Sequence, residues 1–202
     1  MEPTGEPWSG LARVRELSER GLSRAAESLG RMLGSSIRLT LREIRHVPSR
    51  DLPALVEHGD SSPVIGLTIR IQGQGGGWIF VVFPVHAIYG LLRVLMRTPV
   101  EPHDLTGLEL SAVQEVGNVL ASSFLSELGD RLGRRLMPSA PEIHLTNLSR
   151  IVRDMLTSPH ALDTELLVVQ ARLEDVERNI EGRFFAVPEV RALEPITGAA
   201  GG

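Results

Sequence analysis

The sequence predicts an α+β domain in which two pseudo-symmetric helix–strand repeats share one sheet, with long helices packed on it. Three observations carry this. Two long stretches place apolar residues at helical spacing, six short runs read as strands, and the first helical stretch recurs 99 residues later. One domain is expected over residues 10–195, with repeat one at 10–97, a linker at 98–104 and repeat two at 105–195. Two separate units of ~90 residues would each bury a smaller share of their surface. Residues 1–9 and 196–202 are expected to be disordered tails.

The first helix is expected from about Leu11 to Leu33, because Leu11, Val14, Leu17, Leu22, Ala25, Leu29 and Leu33 line one face. The second runs from about Leu108 to Leu132, with Val113, Val116, Leu120, Phe124 and Leu128 doing the same. A third covers Val85 to Met96 and is closed by Thr98-Pro99. Strands are expected at Ile37–Ile44, Val64–Ile71, Trp78–Phe83, Glu142–Leu145, Leu166–Leu173 and Arg183–Val187. The run GQGGG at 73–77 reads as a hairpin turn. It is a poor phosphate loop, since a strand follows it and no Lys-Ser or Lys-Thr does.

The repeat fixes the architecture. Without a gap, Val14, Glu16 and Ser23 meet Val113, Glu115 and Ser122; Leu29-Gly30 and Leu33-Gly34 meet Leu128-Gly129 and Leu132-Gly133. At a slightly larger offset, GWIFVVFPVHAI (77–88) resembles GRFFAVPEVRAL (182–193). Two blocks in the same order point to duplication. The Pro-rich, polar segment TPVEPHD at 98–104 then joins the halves.

Composition excludes several classes of function. The chain has 202 residues, and 42% of them are hydrophobic, enough for a sizeable core. No apolar run approaches the ~20 residues of a membrane span, and the first residues lack the pattern of a secretory signal. A cytoplasmic protein without a membrane partner is expected. With no cysteine there is neither a disulfide nor a thiolate site. The six histidines are scattered without a pair at i,i+3 or i,i+4, so no protein-held metal is expected. A net charge of −4 gives no reason to expect nucleic acid.

One stripe stands apart. On the second long helix, Ser111, Glu115, Asn118 and Ser122 fall within about 60° of one another at ~100° per residue, opposite the apolar face. Any surface helix has a polar face. This one contains no arginine, although all 21 basic residues of the chain are arginine. Asn118 also stands in mid-helix, where Asn costs ~0.5 kcal/mol relative to good helix formers. The first repeat has Ala12 and Glu19 where the second has Ser111 and Asn118, so the scaffold itself does not require them.

The spacing Ser111-x3-Glu115-x2-Asn118, followed after 22 residues by Pro141, resembles the signature of the CheC/CheX/FliY phosphatases of bacterial chemotaxis, and CheC above all. The text LELSAVQEVGNVLASSFLSELGDRLGRRLMPSAPEI around it and GRFFAVPEVRAL near the end are similar to that family as well. The resemblance covers roughly residues 10–195 and includes the duplication, which is how CheC is built. It implies a CheC-like fold and a hydrolase acting on the aspartyl phosphate of a CheY-like response regulator. Asn118 would orient the attacking water and Glu115 would pair with a basic residue of the regulator. Ser111 and Pro141 would complete the motif, Pro141 by shaping the chain that leaves the helix. Mg²⁺ would be held by the regulator and no cofactor by this chain. CheD, a receptor deamidase, is a further partner that the resemblance allows, and the sequence leaves the oligomeric state open. In the first repeat Glu16 survives while Ala12, Glu19 and Arg42 replace the other three positions, so a single site is expected. The same fold serves assembly in flagellar switch proteins such as FliM, which leaves a non-catalytic switch or regulator-binding adaptor as the alternative.

Overall fold

Apolar residues on strands alternate between two faces, and in this chain both faces of one sheet are covered. The computed structural model describes residues 10–57, 63–156, 165–175 and 177–193; the expected terminal tails lie outside these. In chain order come α1 (Leu11–Leu33), β1 (Arg38–Pro48), α2 (Leu52–Glu57), β2 (Val64–Gly73), β3 (Gly77–Pro84) and α3 (Val85–Met96). Then follow α4 (Gly107–Leu132), β4 (Leu136–Pro138), β5 (Glu142–Thr146), α5 (Leu148–Leu156), β6 (Glu165–Asp175) and β7 (Ile180–Pro188). The three expected helices and six expected strands are all present. The turn at 73–77 joins β2 to β3 in an antiparallel pair, with Arg70 opposite Trp78.

The sheet is antiparallel and ordered β1-β6-β7-β3-β2-β4, with β5 also paired to β2. The two repeats therefore exchange strands: β1 of the first lies on β6 of the second, and β4 and β5 of the second lie on β2 of the first. At the centre β3 pairs with β7, and Phe80 lies opposite Phe185. These phenylalanines are each other's counterparts in the 77–88 and 182–193 blocks. The pseudo-twofold axis therefore passes through this pair, and neither repeat can complete its sheet alone.

Ile65, Leu67 and Ile69 of β2, Val81 and Phe83 of β3, and Val169 and Ala171 of β6 face α1, α3 and α4 in one apolar core. Val64, Phe80, Val82, Val168, Phe185 and Val187 face the other way, against Leu52 and Val56 of α2 and Leu148, Ile151 and Val152 of α5. The second core is the part that periodicity did not reveal. Helices α2 and α5 span 6 and 9 residues, too short for an i,i+3,i+4 pattern to stand out. Ser49, which precedes α2, and Ser149, the second residue of α5, are both buried.

Both long helices end alike. Gly34 and Gly133 stand at φ 62°, a left-handed conformation that glycine adopts without strain, and they donate to the carbonyls of Gly30 and Gly129. Helix α4 begins with a capping box. The Thr106 hydroxyl accepts from the N–H of Glu109, and the Glu109 carboxylate accepts from the N–H of Thr106 at 2.8 Å. Gly21 and Gly117 set the spacing of the layers. A Cβ on Gly21 would stand 2.7 Å from the Phe124 ring, and one on Gly117 would stand 2.7 Å from Leu67 Cδ1. Gly117 thus lets α4 settle onto β2 immediately before Asn118.

Candidate functional site

The buried side of α4 (Val113, Val116, Gly117, Leu120, Ala121 and Phe124) fixes which way its other side points. Ser111 and Glu115 are exposed, and Asn118 and Ser122 are half-buried, in one row. The Asn118 amide nitrogen lies 3.5 Å from a Glu115 carboxylate oxygen, at the outer limit of a hydrogen bond. Neither group is therefore held tightly by the other. Among the described residues no arginine or histidine pairs with Glu115.

The other motif residues are tied into the scaffold. The Ser111 hydroxyl donates to the Gly107 carbonyl at 2.9 Å, within its own helix. The Ser122 hydroxyl donates to the Asn118 carbonyl at 2.6 Å. Pro141 is buried and its carbonyl accepts from the Gln114 amide at 2.9 Å, which ties the chain before β5 to the helical position next to Glu115. Sequence reasoning missed Gln114, because a single glutamine between Val113 and Glu115 reads as ordinary helix surface. The structure thus brings Glu115, Asn118 and, through Gln114, Pro141 to one side of α4, while Ser111 turns back to its own backbone.

The first repeat shows what became of the counterpart. Glu16 accepts from Arg20 at 3.1 Å, and Glu19 lies 3.8 Å from Arg15. Both carboxylates are neutralised by their own helix. Where the second repeat breaks its edge into β4 and β5 at Pro141, the first runs on as β1 with a register shift between Leu41 and Glu43, at Arg42. Proline supplies no N–H to a ladder, so it ends a strand where arginine only bulges it.

Other charged groups near α4 are engaged internally. Arg24 of α1 reaches Glu127 at 3.0 Å and Asp130 at 3.4 Å, and it is the first cause of the lowered Glu127 pKa. Arg131 also pairs with Glu127, at 3.2 Å. Arg134 donates to the Gln74 carbonyl, and the Arg135 N–H donates to the Gln74 side chain. These arginines brace the end of α4 against the β2–β3 turn. His86 lies 3.2 Å from Glu181, and the Tyr89 hydroxyl donates to the His103 carbonyl, both local contacts. Among the described residues no cluster of three His, Asp or Glu side chains could hold a metal ion, and no helix is long and apolar enough to cross a membrane.

Residues 108–145, the span from α4 through β5 that carries every motif residue, match the family model of the CheC-like family. That span is similar to the CheC-like family. The chain is 24% identical over 195 residues to the CheY-P phosphatase CheC of Bacillus subtilis, covering 93% of its own length and 92% of that protein. Its fold matches Thermotoga maritima FliY with a TM-score of 0.73 at 20% identity, covering 96% of this chain and 98% of that one. It also matches a chain of the FliG–FliM complex of H. pylori with a TM-score of 0.64 at 10% identity, covering 96% and 100%. At these identities the structural likenesses speak for the fold alone.

Proposed function

We propose that this CheC-like protein hydrolyses the aspartyl phosphate of a CheY-like response regulator, using a single site on α4. The likeness to the Bacillus subtilis protein named CheY-P phosphatase CheC supports the reaction class. The observation that carries the site is the contrast between repeats. Glu16 and Glu19 are paired with arginines, whereas among the described residues the Glu115 and Asn118 side chains have only each other at 3.5 Å.

An aspartyl phosphate is a mixed anhydride and already activated. Hydrolysis forms a bond from water oxygen to phosphorus and breaks the bond from phosphorus to the aspartyl oxygen, giving inorganic phosphate and the free carboxylate. Catalysis then needs a water placed in line and little else. The Asn118 carboxamide suits that task, because it accepts from the water and donates to a neighbouring oxygen without bringing charge to the phosphoryl group. Glu115, one turn away, would pair with a basic side chain of the regulator and fix the docked pose. Pro141, tethered through Gln114, would shape the adjoining edge. Mg²⁺ would belong to the regulator. The reading puts the protein in the cytoplasm with that regulator; co-purification with CheD of the same genome tests the further partner.

The fold shared with the FliM middle domain of H. pylori favours one other reading, a switch or adaptor role without catalysis. The lifetime of phosphorylated CheY from the same genome, with and without the protein, decides between them. Shortening by the wild type and not by Asn118→Ala supports the phosphatase. An unchanged lifetime with binding retained moves the assignment to the adaptor.

A further inference from the structure

Three large apolar side chains are strongly exposed among the described residues: Leu108 (67%), Leu145 (72%) and Met137 (39%). Two of them lie on the α4 side of the sheet. Leu108 stands three residues before Ser111 on α4, so the row reads Leu108, Ser111, Glu115, Asn118 at spacings of three, four and three, one face of a helix. Leu145 stands on β5 opposite Ile65, which points into the core under α4, so Leu145 points to the α4 side of the sheet. Gly117 packs on Leu67, whose partner on β5 is Ile143. Leu145, two residues further along β5, points to the same side of the sheet as Ile143. Met137 is opposite Gln72, whose neighbour Ile71 is in the core under α4, and so it faces the other side of the sheet.

The first repeat again serves as a control. The counterpart of Leu145 at the 99-residue offset is His46, which pairs with Glu165 at 3.1 Å. Where the first repeat has a polar contact, the second exposes a leucine on the free edge of the sheet. A single exposed leucine needs no explanation. Two on the side of the sheet that carries the polar row, with a Glu115 carboxylate that no described arginine neutralises, make a mixed patch that fits a protein partner.

We infer that Leu108 and Leu145 are the apolar anchors of a docking surface for the phosphorylated regulator, receiving a face on which apolar side chains lie next to at least one basic residue. Glu115 takes the basic residue, Leu108 and Leu145 take the apolar ones, and Asn118 is left free for the phosphoryl group. This rests on the phosphatase reading for the identity of the partner. The anchors act on affinity and leave the chemical step alone.

The test measures two quantities on the full chain: binding to CheY of the same genome loaded with beryllium fluoride as the phosphoryl mimic, and the kinetics of phospho-CheY hydrolysis. The variants are Leu108→Ser, Leu145→Ser, both together, and Met137→Ser as a surface control. The inference expects each anchor variant to weaken binding and raise KM about tenfold, with kcat and the melting temperature held and Met137→Ser unchanged. Wild-type hydrolysis with KM unmoved in the anchor variants overturns the docking surface and leaves the phosphatase standing. Binding that is lost in the anchor variants of a protein without hydrolytic activity upholds the surface and overturns the phosphatase. If the anchor variants instead shift the sedimentation of the protein alone, without changing regulator binding, the patch joins two copies of this chain and the inference falls.

Discussion

The side-chain amide of Gln114 donates to the carbonyl of Pro141 at 2.9 Å, so the start of β5 is fastened to α4 at the position beside Glu115. Its counterpart in the first repeat is Arg15, which turns to Glu19. Replacing Gln114 with leucine keeps the volume and leaves a half-buried carbonyl without its donor. A loss of about 1 kcal/mol is expected in urea unfolding at unchanged m-value. In the phosphatase reading hydrolysis also slows, because Pro141 is no longer held beside the row. A Gln114→Leu variant as stable and as active as the wild type would remove the tether from the account.

Asn118 is a poor helix former held by one long side-chain contact. Asn118→Ala is therefore expected to leave the thermal midpoint unchanged or to raise stability by up to ~0.5 kcal/mol, while dephosphorylation disappears. The opposite movement of stability and activity separates a functional residue from a structural one. A variant that melts well below the wild type would show that Asn118 supports the fold.

Glu16 and Glu19 belong to exposed i,i+4 pairs with Arg20 and Arg15. The double change Glu16→Gln, Glu19→Gln should cost less than ~1 kcal/mol in denaturant and leave phospho-CheY lifetimes as they were. Slower hydrolysis in this variant would mean that the first repeat retains a working site.

The glycines of α4 give a stability contrast at two positions of one helix. A Cβ on Gly129 would stand 2.6 Å from the carbonyl oxygen of Arg134, whereas one on Gly107 would have nothing within 4 Å. Gly129→Ala should destabilise by about 1–3 kcal/mol, and Gly107→Ala should stabilise by ~0.5 kcal/mol through the unfolded chain. Thermal unfolding of the pair checks both signs.

The start of α4 carries a pH-dependent contact. Hydrogen bonds to the Glu101 carbonyl and then to the Glu109 carboxylate raise the His103 pKa above 6.5. The N–H of Thr106, then its hydroxyl, and then His103 lower Glu109 below 4.5. A raised histidine contributes stability that is fully present below its unfolded pKa and lost as pH rises through the folded one. The lowered carboxylate contributes above its unfolded pKa and loses its share as pH falls through the folded one. The melting difference between wild type and His103→Gln should therefore be largest near ~pH 6 and shrink above ~pH 8. A difference that grows with pH would exclude the imidazolium contact.

Much of this was legible in the chain. Helices α1 and α3 run over the residues that periodicity marked, Leu11–Leu33 and Val85–Met96, and α4 begins one residue earlier than expected. Helices α2 and α5 escaped because so few turns carry little periodic signal. Strand β4, only 3 residues long, escaped for a similar reason. The capping box at Thr106 and Glu109 went unread, although T-x-x-E before an apolar run is its signature. The polar row itself could be read from spacing, because one helix fixes the angles between its own side chains.

By itself the sequence determined the two repeats, the long helices with their terminal glycines, and the row Ser111, Glu115, Asn118. These are local properties, set by periods of 3.6 and 2 residues and by the conformations glycine allows. Only the tertiary structure decided that the repeats exchange edge strands, so that β1 lies on β6 and β5 on β2. Only it brought Gln114 to Pro141 and turned Leu145 to the side of the sheet that α4 covers. Strand partners and contacts across 27 residues or more depend on which apolar faces must be buried together, and that is settled by the whole core at once.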